Sequence, residues 1–427
     1  RGAGRVYDTN GNLERALLAA LRLPKQSRDD VQESLDELGR LTESAGAVVV
    51  GGVVQDLPSR SSRLYFGKGK VEELSVLARE RTADVVITDD NLSPAQERNL
   101  SRAIGLKVID RRALILDIFS QRARTSEGKL QVELAQLSYL LPRLVRRWSH
   151  LERLGGGIGT RGPGETQLES DRRIIRRRIL QIQRELGRVQ RHRRLHRDRR
   201  RAGGWPVVAL VGYTNAGKTA LLNRLSGSHF QVADQLFVTL DPAARVVALP
   251  GRQPFILTDT VGFIRKLPPE LVAAFRATLE QLHAADLLLH VLDASHPRAE
   301  DQMRAVERLL ADLDLRDRPV LLALNKMDRV EAPGDLRRLG EESGGIPVSA
   351  LTGAGLPELL AAIEGTQRHR MGHVTLRIPY ADGSTLALCY NRGRVLRRED
   401  GEAGVLLDVV LPRPLLSRVS AYRVGGV

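Results

Sequence analysis

The stretch Val207-Val208-Ala209-Leu210-Val211-Gly212-Tyr213-Thr214-Asn215-Ala216-Gly217-Lys218-Thr219 reads as a buried strand running into a glycine-rich turn. Ala220-Leu221-Leu222-Asn223-Arg224-Leu225 then reads as a helix. Strand, glycine turn and helix start are the context a phosphate-binding loop requires. The glycines let backbone N–H groups close around phosphate oxygens, and the helix N-terminus adds partial positive charge. In that arrangement Lys218 reaches the β- and γ-phosphates and the Thr219 hydroxyl holds Mg²⁺. A ligand-free strand–helix turn is the competing reading, and the segments downstream weigh against it.

Four segments follow in the order a GTPase needs. Between Thr219 and Thr258 the one threonine is Thr239, in Phe237-Val238-Thr239-Leu240-Asp241-Pro242. It is the candidate switch residue that closes on Mg²⁺ and the γ-phosphate. Phe255-Ile256-Leu257-Thr258-Asp259-Thr260-Val261-Gly262 reads as a strand ending in Asp-x-x-Gly, with Asp259 placed 41 residues after Lys218. Asp259 is expected in the Mg²⁺ shell, and the Gly262 N–H at the γ-phosphate. Val320-Leu321-Leu322-Ala323-Leu324 is a buried strand that runs into Asn325-Lys326-Met327-Asp328. The Asp328 carboxylate can accept both the ring N–H and the exocyclic amine of guanine. Adenine would leave it unpaired, at a cost of about 1–3 kcal/mol. Asn325 supports the guanine face and Lys326 lies along the base. Ile346-Pro347-Val348-Ser349-Ala350-Leu351 completes the base pocket through the Ser349–Ala350 backbone.

The expected nucleotide contacts therefore run from Gly212 to Thr219. They continue with Phe237, Val238, Thr239, Leu240, Asp241, Asp259, Thr260, Val261, Gly262, Asn325, Lys326, Met327, Asp328, Ser349, Ala350 and Leu351. Lys218, Thr239 and Gly262 are the candidate catalytic residues, and Thr219 and Thr239 the candidate metal ligands. Phe263 follows Gly262, where Ras-type enzymes carry a water-orienting glutamine. A phenylalanine cannot polarise water, so slow intrinsic hydrolysis and stimulation by a partner are expected. The amide oxygen of Asn215 could ligate a K⁺ ion bridging the phosphates. His290, inside the apolar run Leu287–Leu292, reads as a core residue.

Composition bounds the rest. A length of 427 residues implies several domains, and 42% apolar residues support real cores. One cysteine, Cys389, excludes an internal disulfide framework and fits a reducing cytoplasm. No apolar run approaches a membrane span of about 20 residues. The net charge is +15, and its excess is local: Leu141–Arg201 holds 19 arginines, no lysine and 6 acidic residues. Such a run is often only a solvated helix face. All-arginine and this concentrated, it favours a polyanionic partner, structured RNA above all.

Upstream, helices are expected over Leu13–Leu21 and Asp30–Ser44, and strands over Ala47–Val54, Ala83–Thr88 and Leu106–Asp110, with helices between. That alternation predicts a small parallel α/β domain. Gly67-Lys68-Gly69-Lys70 reads more readily as a turn demanded by the fold or by docking than as a nucleotide site. Leu130, Leu134, Leu137, Leu141, Leu144, Trp148 and Leu151 form one heptad seam, and Leu168, Ile175, Ile179, Ile182, Leu186 and Val189 a second. An antiparallel helical hairpin is expected, kinked at Pro142. Its glycine-rich connection, Leu154–Glu165, is either a flexible linker or a tip that orders against a partner. After the nucleotide domain, a βαββα piece follows. It has a strand over Val374–Ile378, a helix over Thr385–Arg394, a hairpin of Val395–Arg398 with Val405–Leu411, and a last helix over Pro414–Tyr422.

These motifs together resemble the HflX family of ribosome-associated translational GTPases. The resemblance covers nearly the whole chain. It rests on Phe66-Gly67-Lys68-Gly69-Lys70, Gly155-Gly156-Gly157-Ile158-Gly159, Gly162-Pro163-Gly164-Glu165-Thr166-Gln167-Leu168-Glu169, the phosphate loop, Thr239-Leu240-Asp241-Pro242, Asp259-Thr260-Val261-Gly262-Phe263-Ile264 and Asn325-Lys326-Met327-Asp328. It implies GTP hydrolysis with Mg²⁺, binding to the large (50S) ribosomal subunit and its rRNA, and splitting or rescue of stalled ribosomes under stress. The hairpin tip would then lie near the peptidyl-transferase centre. A GTPase of 50S assembly or RNA modification fits the same features, as does a nucleotide-gated RNA-binding scaffold. Thr219-Ala220 and Asp241-Pro242-Ala243-Ala244-Arg245 depart modestly from the family pattern. The expected architecture is α/β throughout. A small α/β domain (1–125) and a helical hairpin (126–202) precede a doubly wound P-loop GTPase domain (203–367), and an α+β domain (368–427) follows. A cytoplasmic monomer is expected.

Overall fold

A computed structural model describes residues 13–146, 163–202, 205–228, 236–237, 244–247, 254–266, 282–367 and 371–424. The glycine-rich tip up to Gly162, and Val238, Thr239, Leu240 and Asp241, lie outside the described residues. The chain forms two compact units, residues 1–182 with 265–274, and residues 183–264 with 275–427.

The first unit is built on a four-stranded sheet in the order β2-β1-β3-β4. Its strands are β1 (Arg15–Arg22), β2 (Val48–Asp56), β3 (Val85–Thr88) and β4 (Lys107–Asp110), all parallel. The expected helix over Leu13–Leu21 is thus a strand. Alanine, leucine and arginine favour helix locally, but β1 is an inner strand and every residue from Ala16 to Leu21 is buried. A continuous apolar run covered on both faces is the signature of an inner parallel strand, and burial overrides propensity.

The helices are α1 (Arg28–Ser44), α2 (Lys68–Glu80), α3 (Pro94–Ile104), α4 (Arg111–Arg122), α5 (Ser126–Leu140) and the 40-residue α6 (Pro163–Ala202). Their starts are chemically marked. Ser93 and Gln96 form a reciprocal capping box before α3, with Pro94 in its first turn. Asp110 caps α4 by accepting from Ala113 N at 2.9 Å. The first hairpin arm does not continue through Leu141 and Leu144. α5 stops at Leu140, ahead of Pro142, and a 3-10 turn covers Arg143–Arg146. Proline lacks the N–H that the next helical bond needs. The residues α5 buries are Glu127, Gly128, Gln131, Val132, Ala135 and Tyr139, whereas Leu130, Leu134 and Leu137 are half-buried. Ile182 and Leu186 of α6 are buried as expected, and Arg178 forks onto Glu133 at 2.6 and 2.8 Å.

At the carboxyl ends of β3 and β4 lies a buried charge network. Arg111 is 1% exposed and pairs with Glu37 and, at 2.7 Å, with Asp89. Ser34 Oγ donates to Asp89 at 2.7 Å. Lys266 adds ion pairs to Asp89 and Asp90, and Arg265 pairs with Glu33 at 2.8 Å. Burial opposes ionisation of Asp89, but the Arg111 and Lys266 charges hold its carboxyl below the usual range.

The second unit carries a six-stranded sheet in the order β10-β9-β8-β5-β7-β6. Its strands are β5 (Val207–Val211), β6 (Ala244–Val247), β7 (Phe255–Thr258), β8 (Leu287–Asp293), β9 (Val320–Asn325) and β10 (Ile346–Pro347). All are parallel except β6, which runs antiparallel to β7. Helices α7 (Lys218–Ser226), α8 (Ala299–Asp312), α9 (Pro333–Ser343) and α10 (Leu356–Gln367) connect them. Val208, Leu210, Leu221, Leu222, Leu289 and Val291 form the centre of the core. The chain leaves β5 toward β7 on one side and β8 on the other. The loop after β5 therefore opens at a topological switch point, where doubly wound sheets bind ligands.

The C-terminal piece has β11 (Met371–Ile378), α11 (Gly383–Arg392), β12 (Arg394–Gly401), β13 (Gly404–Pro412) and the short α12 (Arg413–Leu416). Its antiparallel sheet has the order β11-β13-β12. The expected last helix is reduced to α12 and a 3-10 turn at Ser420–Tyr422. Tyr422 Oη donates to Asp382 at 2.7 Å, which ties that turn to the N-cap residue of α11. Among the described residues, no helix is long and apolar enough to cross a membrane.

Candidate functional site

Backbone geometry makes the loop after β5. Gly212 has φ +150°, and a Cβ there would lie 2.2 Å from Val291 O. Gly217, at φ +90°, would press a Cβ to 2.2 Å from Asn325 Nδ2. Asn215 is left-handed at φ +63°. Among the described residues no side chain caps α7, and a helix N-terminus of this kind suits an anion.

Lys218 is 6% exposed, and its Nζ donates to Gly212 O at 3.1 Å and Tyr213 O at 2.7 Å. Burial holds its pKa down to about 8, against the upward pull of the Asp259 charge. A buried ammonium bonded to its own loop's carbonyls suits an incoming polyphosphate. Across the loop, Thr219 Oγ1 donates to Asp259 Oδ2 at 2.9 Å. Hydroxyl and carboxylate are hard oxygen ligands of the kind Mg²⁺ takes, and Asp259 is fully buried. These two residues fit the ion that nucleotide phosphates carry.

The Asp-x-x-Gly segment is held against the loop by backbone bonds. Phe263 N donates to Gly212 O at 3.1 Å, and Thr214 N donates to Phe263 O at 2.7 Å. Thr260 Oγ1 donates to Leu210 O at 2.6 Å. The Phe263 side chain is 4% exposed, so it faces packing rather than solvent. His290 lies on β8 beside Val211 and is buried. Burial first, then the Lys218 charge, lowers its pKa to about 4, which keeps the imidazole neutral.

The third wall is the Asn-Lys-x-Asp segment. Asn325 is 1% exposed and joins two loops: Nδ2 donates to Ala216 O at 2.8 Å, and Oδ1 accepts from Ala350 N at 3.0 Å. Lys326 is left-handed at φ +62° and pairs with Asp293 at 2.7 Å. Ser349 Oγ donates to Asp328 at 2.5 Å, and Met327 N donates to Val348 O at 3.2 Å. Gly355, at φ +72°, lets the base loop fold tightly, since a Cβ would lie 2.0 Å from Pro347 O. Leu351 projects at 75% exposure beside this loop.

The structure thus brings together Gly212–Thr219, Asp259–Gly262, Asn325–Asp328 and Ser349–Ala350. Phe237 is buried at φ +58°. Asp293, the partner of Lys326, was not singled out by motif reading; its one signal is an acid ending the apolar run of β8.

Comparison with known proteins decides the family. Residues 207–326 match a family model described as a 50S ribosome-binding GTPase. Residues 32–120 and 122–200 match models described as a GTP-binding GTPase N-terminal and middle region. The GTPase HflX of Caldanaerobacter subterraneus subsp. tengcongensis is 47% identical over 393 residues, 92% of this chain and 90% of the relative. The chain belongs to the HflX GTPase family. The HflX of Escherichia coli K12 is 45% identical over 391 residues, 90% of this chain and 91% of that one. Among solved structures, a GTP-binding protein from Sulfolobus solfataricus in complex with GDP matches with TM-score 0.43 and 25% identity, over 84% of this chain and 99% of that chain. As an HflX GTPase, the protein is a GTP hydrolase with a GTP-binding P-loop domain.

Proposed function

We propose that this HflX protein binds the large (50S) ribosomal subunit and uses GTP hydrolysis to time the splitting or rescue of stalled ribosomes under stress. The observation that carries the partner is α6. Arg173, Arg176, Arg177, Arg184, Arg188 and Arg191 are all exposed along this one helix. Exposed guanidinium groups on a long helix suit phosphate forks and base stacking in structured RNA. The description of the family matched by residues 207–326 names the same subunit. On this reading the four parts, 1–125, 126–202, 203–367 and 368–427, act respectively as docking domain, RNA probe, timer and docking piece. The protein works as a monomer in the cytoplasm.

In the timer, Lys218 and the Gly262 N–H contact the γ-phosphate. Thr219 and Thr239 would hold Mg²⁺, with Asp259 nearby, and the ion would supply charge neutralisation for the phosphates. Asp328 selects guanine, with Asn325, Lys326, Ser349 and Ala350 shaping its pocket. Asn215 would offer its amide oxygen to K⁺. Phe263, packed away and without a polar group, leaves hydrolysis slow until the ribosome orders the switches. The test is GTP turnover alone, with purified 50S subunits and with intact ribosomes. Stimulation by 50S subunits supports the proposal; a basal rate equal to the stimulated rate overturns it.

A further inference from the structure

The phosphate loop contains a buried hydroxyl that none of these roles uses. Thr214 is 7% exposed, and among the described residues its Oγ1 has no hydrogen-bond partner. Other hydroxyls around the loop are engaged: Thr219 on Asp259, Thr260 on Leu210 O and Ser349 on Asp328. An unsatisfied buried hydroxyl costs about 1–3 kcal/mol, so the fold of the loop alone gives no reason to keep it. The backbone N–H of Thr214 is already committed to Phe263 O. This residue can therefore donate to a ligand only through its side chain.

Position says which ligand atom is within reach. A Cβ built on Gly262 would lie 2.8 Å from Thr214 Cα, 3.1 Å from Thr214 Cβ and 3.1 Å from Lys218 Nζ. The Thr214 side chain, the Lys218 ammonium and the Gly262 backbone thus converge on one point. The same three-way approach leaves no room there for a bulkier residue at position 262. Phe263 offers no polar group to the reaction, and both its backbone groups are bonded to the loop.

We propose that Thr214 is a catalytic residue whose hydroxyl donates a hydrogen bond to a non-bridging γ-phosphoryl oxygen during hydrolysis. The inference rests on the assignment of Lys218 and Gly262 to the γ-phosphate. In the reaction, a water oxygen bonds to the γ-phosphorus while the bond from that phosphorus to the β–γ bridging oxygen breaks. The electron pair stays with GDP, and the water protons end on inorganic phosphate and solvent. Thr214 keeps its own proton throughout. Its contribution is a fixed dipole aimed at transition-state charge, the kind of donor whose removal costs about 10²–10³ in rate in a fully closed site. GDP lacks the γ-phosphoryl group and gains nothing from this contact.

The test uses the full chain with Thr214→Val, which keeps the shape and removes the hydroxyl, Thr214→Ser, which keeps the hydroxyl, and Lys218→Ala. Single-turnover GTP hydrolysis, GDP affinity and binding of GDP with aluminium fluoride are measured for each. Thr214→Val should hydrolyse GTP about 10–100-fold more slowly, hold GDP within about twofold of wild type and lose the fluoroaluminate complex. Thr214→Ser should recover most of the rate. Wild-type hydrolysis by Thr214→Val, or loss of GDP affinity by the same factor as the rate, overturns the inference. Should Thr214→Val not fold, a slow Thr214→Ser would count against it and a normal one for it. Normal hydrolysis by Lys218→Ala would instead overturn the site assignment beneath it.

Discussion

Replacing Asn325 with alanine removes one side chain and orphans two loops. Its Nδ2 bonds Ala216 O in the phosphate loop at 2.8 Å, and its Oδ1 receives Ala350 N from the base loop at 3.0 Å. The side chain is 1% exposed, so water cannot easily replace it. Each partner left unsatisfied costs about 1–3 kcal/mol, which places the joint loss at about 2–6 kcal/mol. The free protein can relieve that cost by turning the loops to solvent. Nucleotide binding must then restore them, so GDP affinity should fall by at least about 30-fold, since 1.4 kcal/mol is tenfold. Asn325→Asp is the sharper variant. One carboxylate oxygen still accepts from Ala350 N, but the other now faces the Ala216 carbonyl, acceptor against acceptor. A protonated carboxyl can donate there. GDP affinity of Asn325→Asp should therefore improve as pH falls from 8 to 5.5, while the wild type changes little. Titration with a fluorescent GDP analogue at both pH values measures this. GDP binding by Asn325→Ala within threefold of wild type, or no recovery of Asn325→Asp in acid, would refute the reasoning.

Three further outcomes follow from buried charges. With Lys218 held at a pKa of about 8 in the free protein and raised again by phosphates, GDP affinity should be level below that pH and fall about tenfold per unit above it. The nucleotide-free fold should gain stability with pH between about 8 and the ordinary lysine value, because there the unfolded chain holds a proton the fold does not; a Lys218→Arg control with the same profile would exclude the lysine as its source. Arg111→Met leaves Asp89 and Glu37 buried without their central cation, and should lower stability in urea unfolding by about 3–5 kcal/mol. A smaller loss than about 1 kcal/mol would show that Lys266 and water carry those carboxylates unaided.

The candidate nucleotide site was legible as a grouping of motifs because each of them joins a strand end to a turn, and local sequence specifies both. Gly212 and Gly217 must be glycine for reasons the pattern already carries: the loop needs φ of +150° and +90°, with no room for a Cβ. The capping box at Ser93 and Gln96 was legible on the same ground, since its partners lie three residues apart. What failed to show was whatever burial decides. Arg15–Arg22 carries helix-favouring residues and became an inner strand because two neighbouring strands cover its edges. The leucine seam of the first hairpin arm has real heptad spacing. Yet α5 turned Val132, Ala135 and Tyr139 inward instead, with Tyr139 bonded to Asp110 at 3.0 Å. Lys326 and Asp293 are 33 residues apart and Lys266 and Asp89 are 177 apart; no local pattern marks either pair. Thr214 is the limiting case. Its hydroxyl is visible in any reading of the loop, but that the hydroxyl is buried and, among the described residues, unpartnered depends on Gly262 and Phe263 folding back across it. A motif identifies which atoms a site contains. Only the packing around them shows which atoms are already spent on holding the fold, and which remain available for chemistry.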